Sequence, residues 1–162
     1  MAEIVLGTHA PGETREVGAA IADALLPGDV VSLTGDLGAG KTTLVQGAAA
    51  ALEVEEQVTS PSFVLLREYH GRVPVFHVDV YRLDRVQEVL DLGFEDLLDP
   101  KGVAFVEWGD AIEGLLPDSH LEVELHVGEG EADREVTVRA RGRGWAERWE
   151  RLDGALGVWR AA

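Results

Sequence analysis

The sequence predicts an α/β domain in which strands and helices alternate about one glycine-rich turn. Three observations point there. Residues Gly35-Asp36-Leu37-Gly38-Ala39-Gly40-Lys41-Thr42 match the pattern G-x-x-x-x-G-K-[ST] in full. A β-type segment, Val30 to Thr34, leads into that turn, and a helix-type segment, Thr43 to Leu52, leads out of it. Further on, Val103-Ala104-Phe105-Val106-Glu107 is a short, continuous apolar run ending in a carboxylate, the pattern of a buried strand that delivers an acid to its C-terminal edge. With 162 residues, 46% of them hydrophobic, the chain is long enough for one full core, and residues 1–162 are read as a single domain.

Taken in order, Glu3 to Thr8 reads as a short strand and Thr14 to Leu26 as an amphipathic helix. The helix places Val17, Ala20, Ile21, Ala24 and Leu25 on one face at i, i+3, i+4, i+7, i+8 spacing. Pro27-Gly28-Asp29 stops it. The connector from His9 to Glu13, Pro11 included, either passes a bound base or is a plain strand-to-helix link. After the second helix, Glu53 to Ser60 is an acidic connector leading into Thr59-Ser60-Pro61-Ser62-Phe63. Hydroxyls on a proline-stiffened backbone suit a loop that senses a terminal phosphate or its metal, and equally a turn before a strand.

Phe63 to Tyr69 and Val73 to Tyr81 form a hairpin across His70-Gly71-Arg72, with Val75, His77, Asp79 and Tyr81 sharing one face. Leu83 to Leu92 is a short acidic helix closed by Gly93, and Phe94 to Pro100 a brief helical turn or loop. Beyond Glu107 come a helical piece at Ala111 to Leu115 and a second hairpin, Leu121 to Val127 with Glu135 to Arg141, having one wet face. Trp145 to Leu156 is expected as one closing helix that buries Trp145, Trp149, Leu152 and Leu156. Tyr81 and Trp108 are also expected in the core.

The eight-residue motif is a cradle for nucleotide phosphates. Glycines accept positive φ and let backbone N–H groups approach phosphate oxygens, while the next helix presents its positive end. The cofactor-binding set is therefore Asp36, Leu37, Gly38, Ala39, Gly40, Lys41, Thr42 and Thr43, with Pro11 and Arg134 as flanking candidates. Lys41 adds a charge at the β/γ-phosphates, and the Thr42 hydroxyl can ligate Mg²⁺. An accidental match runs against the composition, because Lys41 and Lys101 are the only lysines among fourteen Lys plus Arg.

Fourteen basic against thirty acidic residues gives a net charge of −16, a surface that repels phosphate backbones. Direct tight binding of nucleic acid is not expected. The one basic cluster, Arg134, Arg139, Arg141 and Arg143, is read as solvated or nucleotide-facing. There is no cysteine, hence no disulfide, iron–sulfur or thiolate-zinc chemistry, and the five histidines show no metal-ligand spacing. With no signal-like or membrane-spanning run, a cytoplasmic location and no membrane contact are expected.

Such a site needs an acid near the magnesium and a group to orient the attacking water. Glu107, ending the purest apolar run, is assigned to the metal; the alternative is a surface acid at a strand end. Asp79 is assigned to the water, with Lys41 as its catalytic companion at the phosphates; the alternative for Asp79 is an ion pair with Arg82 or Arg85. Exchanged roles for the two acids stay open. A chain without asparagine cannot carry the guanine-selecting Asn-Lys-x-Asp, so ATP is favoured. With no second lobe or arginine-rich lid, hydrolysis is expected, helped by Arg82 in cis or by a partner in trans. A small-molecule kinase, or an ATP-gated binding module with little turnover, are the rival readings.

In order and spacing, Gly35 to Thr43, Ser60-Pro61-Ser62-Phe63, His77-Val78-Asp79-Val80-Tyr81-Arg82-Leu83 and Val106-Glu107-Trp108 resemble the TsaE (YjeE) family. These are bacterial ATPases required for tRNA threonylcarbamoyladenosine biosynthesis. The resemblance implies a P-loop NTPase fold with a mostly parallel central sheet, added antiparallel strands and flanking helices, binding ATP and Mg²⁺. It implies that Thr42 and Glu107 hold the metal, that Asp79 is needed for hydrolysis, and that the serine-proline loop behaves as a switch. The implied partners are the threonylcarbamoyl transferase subunit and its inactive homologue (TsaD and TsaB type), whose turnover the ATPase assists without forming the threonylcarbamoyl group. Ser62 departs from the family, which more often has threonine there, and the C-terminal helix is less similar. Independently, the net charge argues that the chain docks on protein rather than grips tRNA.

Overall fold

The structure, a computed structural model, describes residues 2–61 and 65–161. Ser62 and Phe63 of the serine-proline segment therefore lie outside the described residues. Among the described residues seven strands form one sheet: β1 (Ala2–Thr8), β2 (Val30–Gly35), β3 (Leu66–His70), β4 (Pro74–Asp79), β5 (Val103–Glu107), β6 (His120–Val127) and β7 (Arg134–Arg141). Their order is β1-β7-β6-β2-β5-β4-β3. The middle four, β6, β2, β5 and β4, run parallel, and each end is finished by an antiparallel hairpin partner, β7 on β6 and β3 on β4, with β1 antiparallel on β7. The α/β class and both expected hairpins are thus present.

The continuous apolar character of β5 follows from its central place. Val103 and Phe105 join the core shared with helices α1 (Pro11–Asp23), α2 (Lys41–Ala51) and α5 (Trp149–Leu156), whereas Ala104 and Val106 join a second core with α3 (Leu83–Leu92) on the other face. Alternate side chains of a strand point to opposite faces, so a strand covered on both must be apolar at every position. The β6–β7 hairpin is covered on one face only. Leu121, Val123, Leu125, Val136 and Val138 are buried, while Glu122, Glu124, Arg139 and Arg141 pair across the other face.

Helices α1 and α2 cross through two glycines. A Cβ on Gly18 would stand 2.0 Å from the Leu44 carbonyl oxygen, and one on Gly47 would stand 1.9 Å from that of Arg15. Backbone against backbone leaves no room for either, so the contact fixes how α2 leaves the glycine loop.

Several boundaries differ from expectation for identifiable reasons. Helix α1 begins at Pro11 rather than Thr14, because proline is pre-set for a first helical position and the Ala10 carbonyl accepts from Glu13 and Thr14. It ends at Asp23, and the Asp29 carboxylate takes the Leu26 N–H at 2.7 Å in the following turn. Strand β4 stops at Asp79 rather than Tyr81, because the Asp79 carboxylate accepts the Tyr81 N–H and turns the chain. The expected closing helix is two: α4 (Arg143–Ala146) and α5. Between them Arg148 turns inward, where its guanidinium stacks 3.8 Å from the Trp145 ring and donates to Asp29 and to the Ala24 carbonyl. No helix among the described residues is long and apolar enough to cross a membrane.

Candidate functional site

The site lies at the C-terminal ends of β2, β5 and β4, where Leu33 is the register partner of Glu107 and Glu107 of Asp79. Crevices outside the carboxyl ends of parallel strands are the usual ligand positions of such sheets. Strand β2 runs into the glycine loop at Gly35, whose φ of +134° and a Cβ that would meet the Leu125 carbonyl oxygen at 2.3 Å leave glycine as the residue that fits. Gly40, also at positive φ, precedes α2, whose first N–H groups have no partner within the helix. The helix thus presents donors and its positive dipole end to the loop, a preference for an anion.

Lys41, the first residue of α2, is 5% exposed. Its Nζ donates to the carbonyls of Gly35 at 2.6 Å and Asp36 at 2.9 Å and lies 4.1 Å from the centre of the Trp108 ring. Burial holds its pKa below the usual lysine value, with the Glu107 carboxylate pulling the other way. Thr42 Oγ1 donates to Glu107 Oε2 at 3.1 Å. His77 Nε2 stands 2.5 Å from the same oxygen, and since an ionised carboxylate only accepts, the ring donates from Nε2. Glu107 is buried, so the surface-acid alternative does not hold for it.

Asp79 is also buried. Its Oδ1 accepts the Tyr81 N–H at 2.9 Å, and its Oδ2 is 3.6 Å from Arg85 Nη1. Burial raises its pKa above the usual carboxylate range, and the neighbouring Glu107 charge adds to the rise; the Tyr81 N–H and Arg85 oppose it. The ion pair weighed against a catalytic role for Asp79 therefore exists, with Arg85. Arg82 is exposed and lies 3.9 Å from Asp84.

A cavity of about 290 Å³ is lined by Leu37, Lys41, Thr42, Thr43, Ser60 and Glu107. Beside it a space of about 80 Å³ is lined by Pro11, Thr14, Gly38, Gly40, Thr43 and Arg134. Pro11 and Arg134, singled out from the sequence, reach the loop from opposite ends of the chain, whereas Asp79 lines neither space and adjoins them through its register partner Glu107. Arg134 donates from Nε to the Ala39 carbonyl at 3.1 Å and from Nη2 to that of Gly38 at 3.2 Å, bracing the loop from β7. Ala39 is buried with its N–H on the Asp36 carbonyl, and Leu37, 72% exposed, stands at the rim. Arg139 and Arg141 are engaged by Glu3, Glu124 and Glu122, so these two members of the expected basic cluster are neutralised by carboxylates.

Tyr81 departs from the expected core position: it is 55% exposed, its ring centre 4.8 Å from that of Trp108. Trp108, partly buried, takes a left-handed backbone (φ 64°) while its N–H donates to the Leu33 carbonyl at 2.7 Å, which swings the indole over Lys41. The parts that sequence reasoning missed are this cover, the His77 contact to Glu107, and the bond from Arg85, already weighed as a partner of Asp79, to the Pro61 carbonyl. The shared face of His77 and Asp79 was a usable signal for the second, whereas an arginine on an acidic helix gave none for the third.

A family model described as threonylcarbamoyl adenosine biosynthesis protein TsaE matches residues 8–136. The chain belongs to the TsaE family. It is 39% identical over 143 residues to a Bacillus subtilis protein named tRNA threonylcarbamoyladenosine biosynthesis protein TsaE, covering 88% of this chain and 89% of that one. Proteins of the same name from Treponema pallidum and Streptomyces coelicolor are 39% and 41% identical, over 78% and 82% of this chain and 93% of each relative. Among solved structures, the crystal structure of Bacillus subtilis YdiB aligns with a TM-score of 0.79 at 35% identity, covering 94% of this chain and 95% of the other. The TsaE match takes in the glycine loop, Asp79, Glu107 and Arg134, and ends before α4 and α5.

Proposed function

We propose that this TsaE-family chain is a Mg²⁺-dependent ATPase of the P-loop NTPase fold that works in the cytoplasm for tRNA N6-threonylcarbamoyladenosine formation. It acts on the threonylcarbamoyl transferase complex, with the transferase subunit and its inactive homologue as partners. The observation that carries the reading is the convergence, at the mouth of the glycine loop, of Lys41, the hydrogen-bonded pair Thr42–Glu107, and Asp79 on the adjoining strand.

The donor set fits magnesium: a hydroxyl and a carboxylate, both hard oxygen ligands, meet at a helix N-terminus, and this ion takes one or two protein oxygens with phosphates completing its shell. Thr42 and Glu107 would hold it, and when bound it neutralises charge on the phosphates. The loop N–H groups and Lys41 bind and orient the triphosphate. Asp79, whose carboxyl burial pushes up in pKa against the opposing Tyr81 N–H and Arg85, orients a water and accepts its proton. The absence of asparagine supports adenine over guanine, and the net charge of −16 supports docking on protein rather than on tRNA.

ATP hydrolysis with and without the transferase pair, for the wild type, Lys41→Ala and Asp79→Ala, tests the reading. Stimulation by the pair that Asp79→Ala abolishes supports it. Equal rates for wild type and both variants rule it out.

A further inference from the structure

Arg85 sits in the first turn of a helix that is otherwise acidic, yet it is 2% exposed. A guanidinium stays charged at any pH the fold experiences, so burying one is tolerated only where carboxylates or carbonyls meet its charge. Its Nη1 donates to the Pro61 carbonyl at 2.9 Å, reaches the carbonyl of Asp79 at 3.5 Å and lies 3.6 Å from Asp79 Oδ2. The shorter bond goes to the loop and the longer contact to the carboxylate. An arginine present merely to neutralise Asp79 has no need of the loop.

Pro61 follows Ser60, which lines the cavity with Lys41, Thr42 and Glu107. The segment before it is held elsewhere, by Gln46 Nε2 on the Val58 carbonyl at 3.0 Å and by the Tyr69 hydroxyl against the Thr59 backbone. Proline has no N–H to donate, so its carbonyl is its main-chain handle, and Arg85 holds it. One buried cation therefore spans the loop that walls the cavity and Asp79, the register partner of the cavity-lining Glu107.

We infer that Arg85 is a positioning residue that fixes Ser60-Pro61 against Asp79, so that the cavity wall and the water-orienting carboxylate keep one geometry. The inference deepens the ATPase reading and rests on it for its catalytic consequence, while its structural half stands apart. A lysine ammonium, shorter in reach and more strongly hydrated than a guanidinium, keeps the charge but holds the Pro61 carbonyl less well in a buried position.

The test compares full-length wild type, Arg85→Gln and Arg85→Lys by amide hydrogen exchange at Thr59 and Ser60 and by steady-state ATP hydrolysis with the transferase pair. In R85Q, exchange at those amides rises about tenfold while amides of α1 and α2 keep their wild-type rates. Its kcat falls about tenfold to a hundredfold with KM changed less than about threefold, the pattern of a misplaced group rather than lost binding. R85K lies between. Loop exchange unchanged in R85Q overturns the inference, as does a loss confined to KM or to melting temperature. If R85Q does not fold, R85K against wild type carries the same comparison. If the wild type hydrolyses no ATP, the ATPase reading fails, and the exchange arm still decides whether Arg85 holds the loop.

Discussion

Thr42 and Glu107, 65 residues apart in the chain, meet in a 3.1 Å hydrogen bond that joins the first turn of α2 to the last residue of β5. On the proposed reading a magnesium ion would take both oxygens, displacing this bond. Glu107→Gln should weaken nucleotide binding about tenfold to a hundredfold in Mg²⁺ while changing it less than about threefold in EDTA. Titration calorimetry in the two buffers reads this difference, and equal losses in both would remove Glu107 from the metal site.

The α1–α2 crossing gives a prediction independent of function. Gly47→Ala drives a methyl to within 1.9 Å of the Arg15 carbonyl oxygen, a backbone atom that yields only if a helix moves. A loss of about 2 kcal/mol is expected, seen as a lower urea midpoint at unchanged slope.

Arg148 makes the break between α4 and α5 by bonding Asp29 and the Ala24 carbonyl beneath the Trp145 ring. Arg148→Ala should cost about 2–3 kcal/mol, the worth of hydrogen bonds to a charged group plus the stacked face. Because these contacts tie the end of α1 and the start of β2 to the C-terminal helices, exchange protection should fall first in α4 and α5.

Acid stability should carry a signature of the wet sheet face. Hydrogen bonds from Arg139 and then His126 hold the Glu124 carboxyl below its ordinary value of 4.5. A depressed folded pKa stabilises the fold above the unfolded value and loses that contribution as pH falls through the folded one. Glu124→Gln should therefore lower stability near neutrality and flatten its fall below pH 4.5, as read by urea unfolding across pH. The same steep fall in wild type and variant would exclude this pair as a contributor.

Much of the site was legible because its parts are local patterns. The glycine motif, the apolar run ending in Glu107 and the shared face of His77 and Asp79 each follow from spacing along one element. What the sequence hid depends on contacts between distant segments. Arg85 was readable as a partner of Asp79, but its burial and its bond to the Pro61 carbonyl emerge only when α3 packs against that loop. Trp108 and Tyr81 read as core aromatics; Trp108 does pack partly against the second core, but its left-handed backbone also turns the ring onto Lys41, and Tyr81 is left outside. Helical spacing from Trp145 to Leu156 gave no hint of the break, because its cause, Asp29, lies more than a hundred residues away.

Strand β1 is an edge strand whose sheet partner is β7, Leu6 pairing with Val136, and its other side is touched by the Leu6–Arg160 bridge and the Ala161 N–H on the Val5 carbonyl. During synthesis at about 5–20 residues per second, β1 therefore waits roughly 6–26 s for its mate to be made. Over that interval its apolar face, Ile4 and Leu6, and its unpaired backbone are available to chaperones or to a neighbouring nascent chain. The order of manufacture leaves the first strand as the last to be closed.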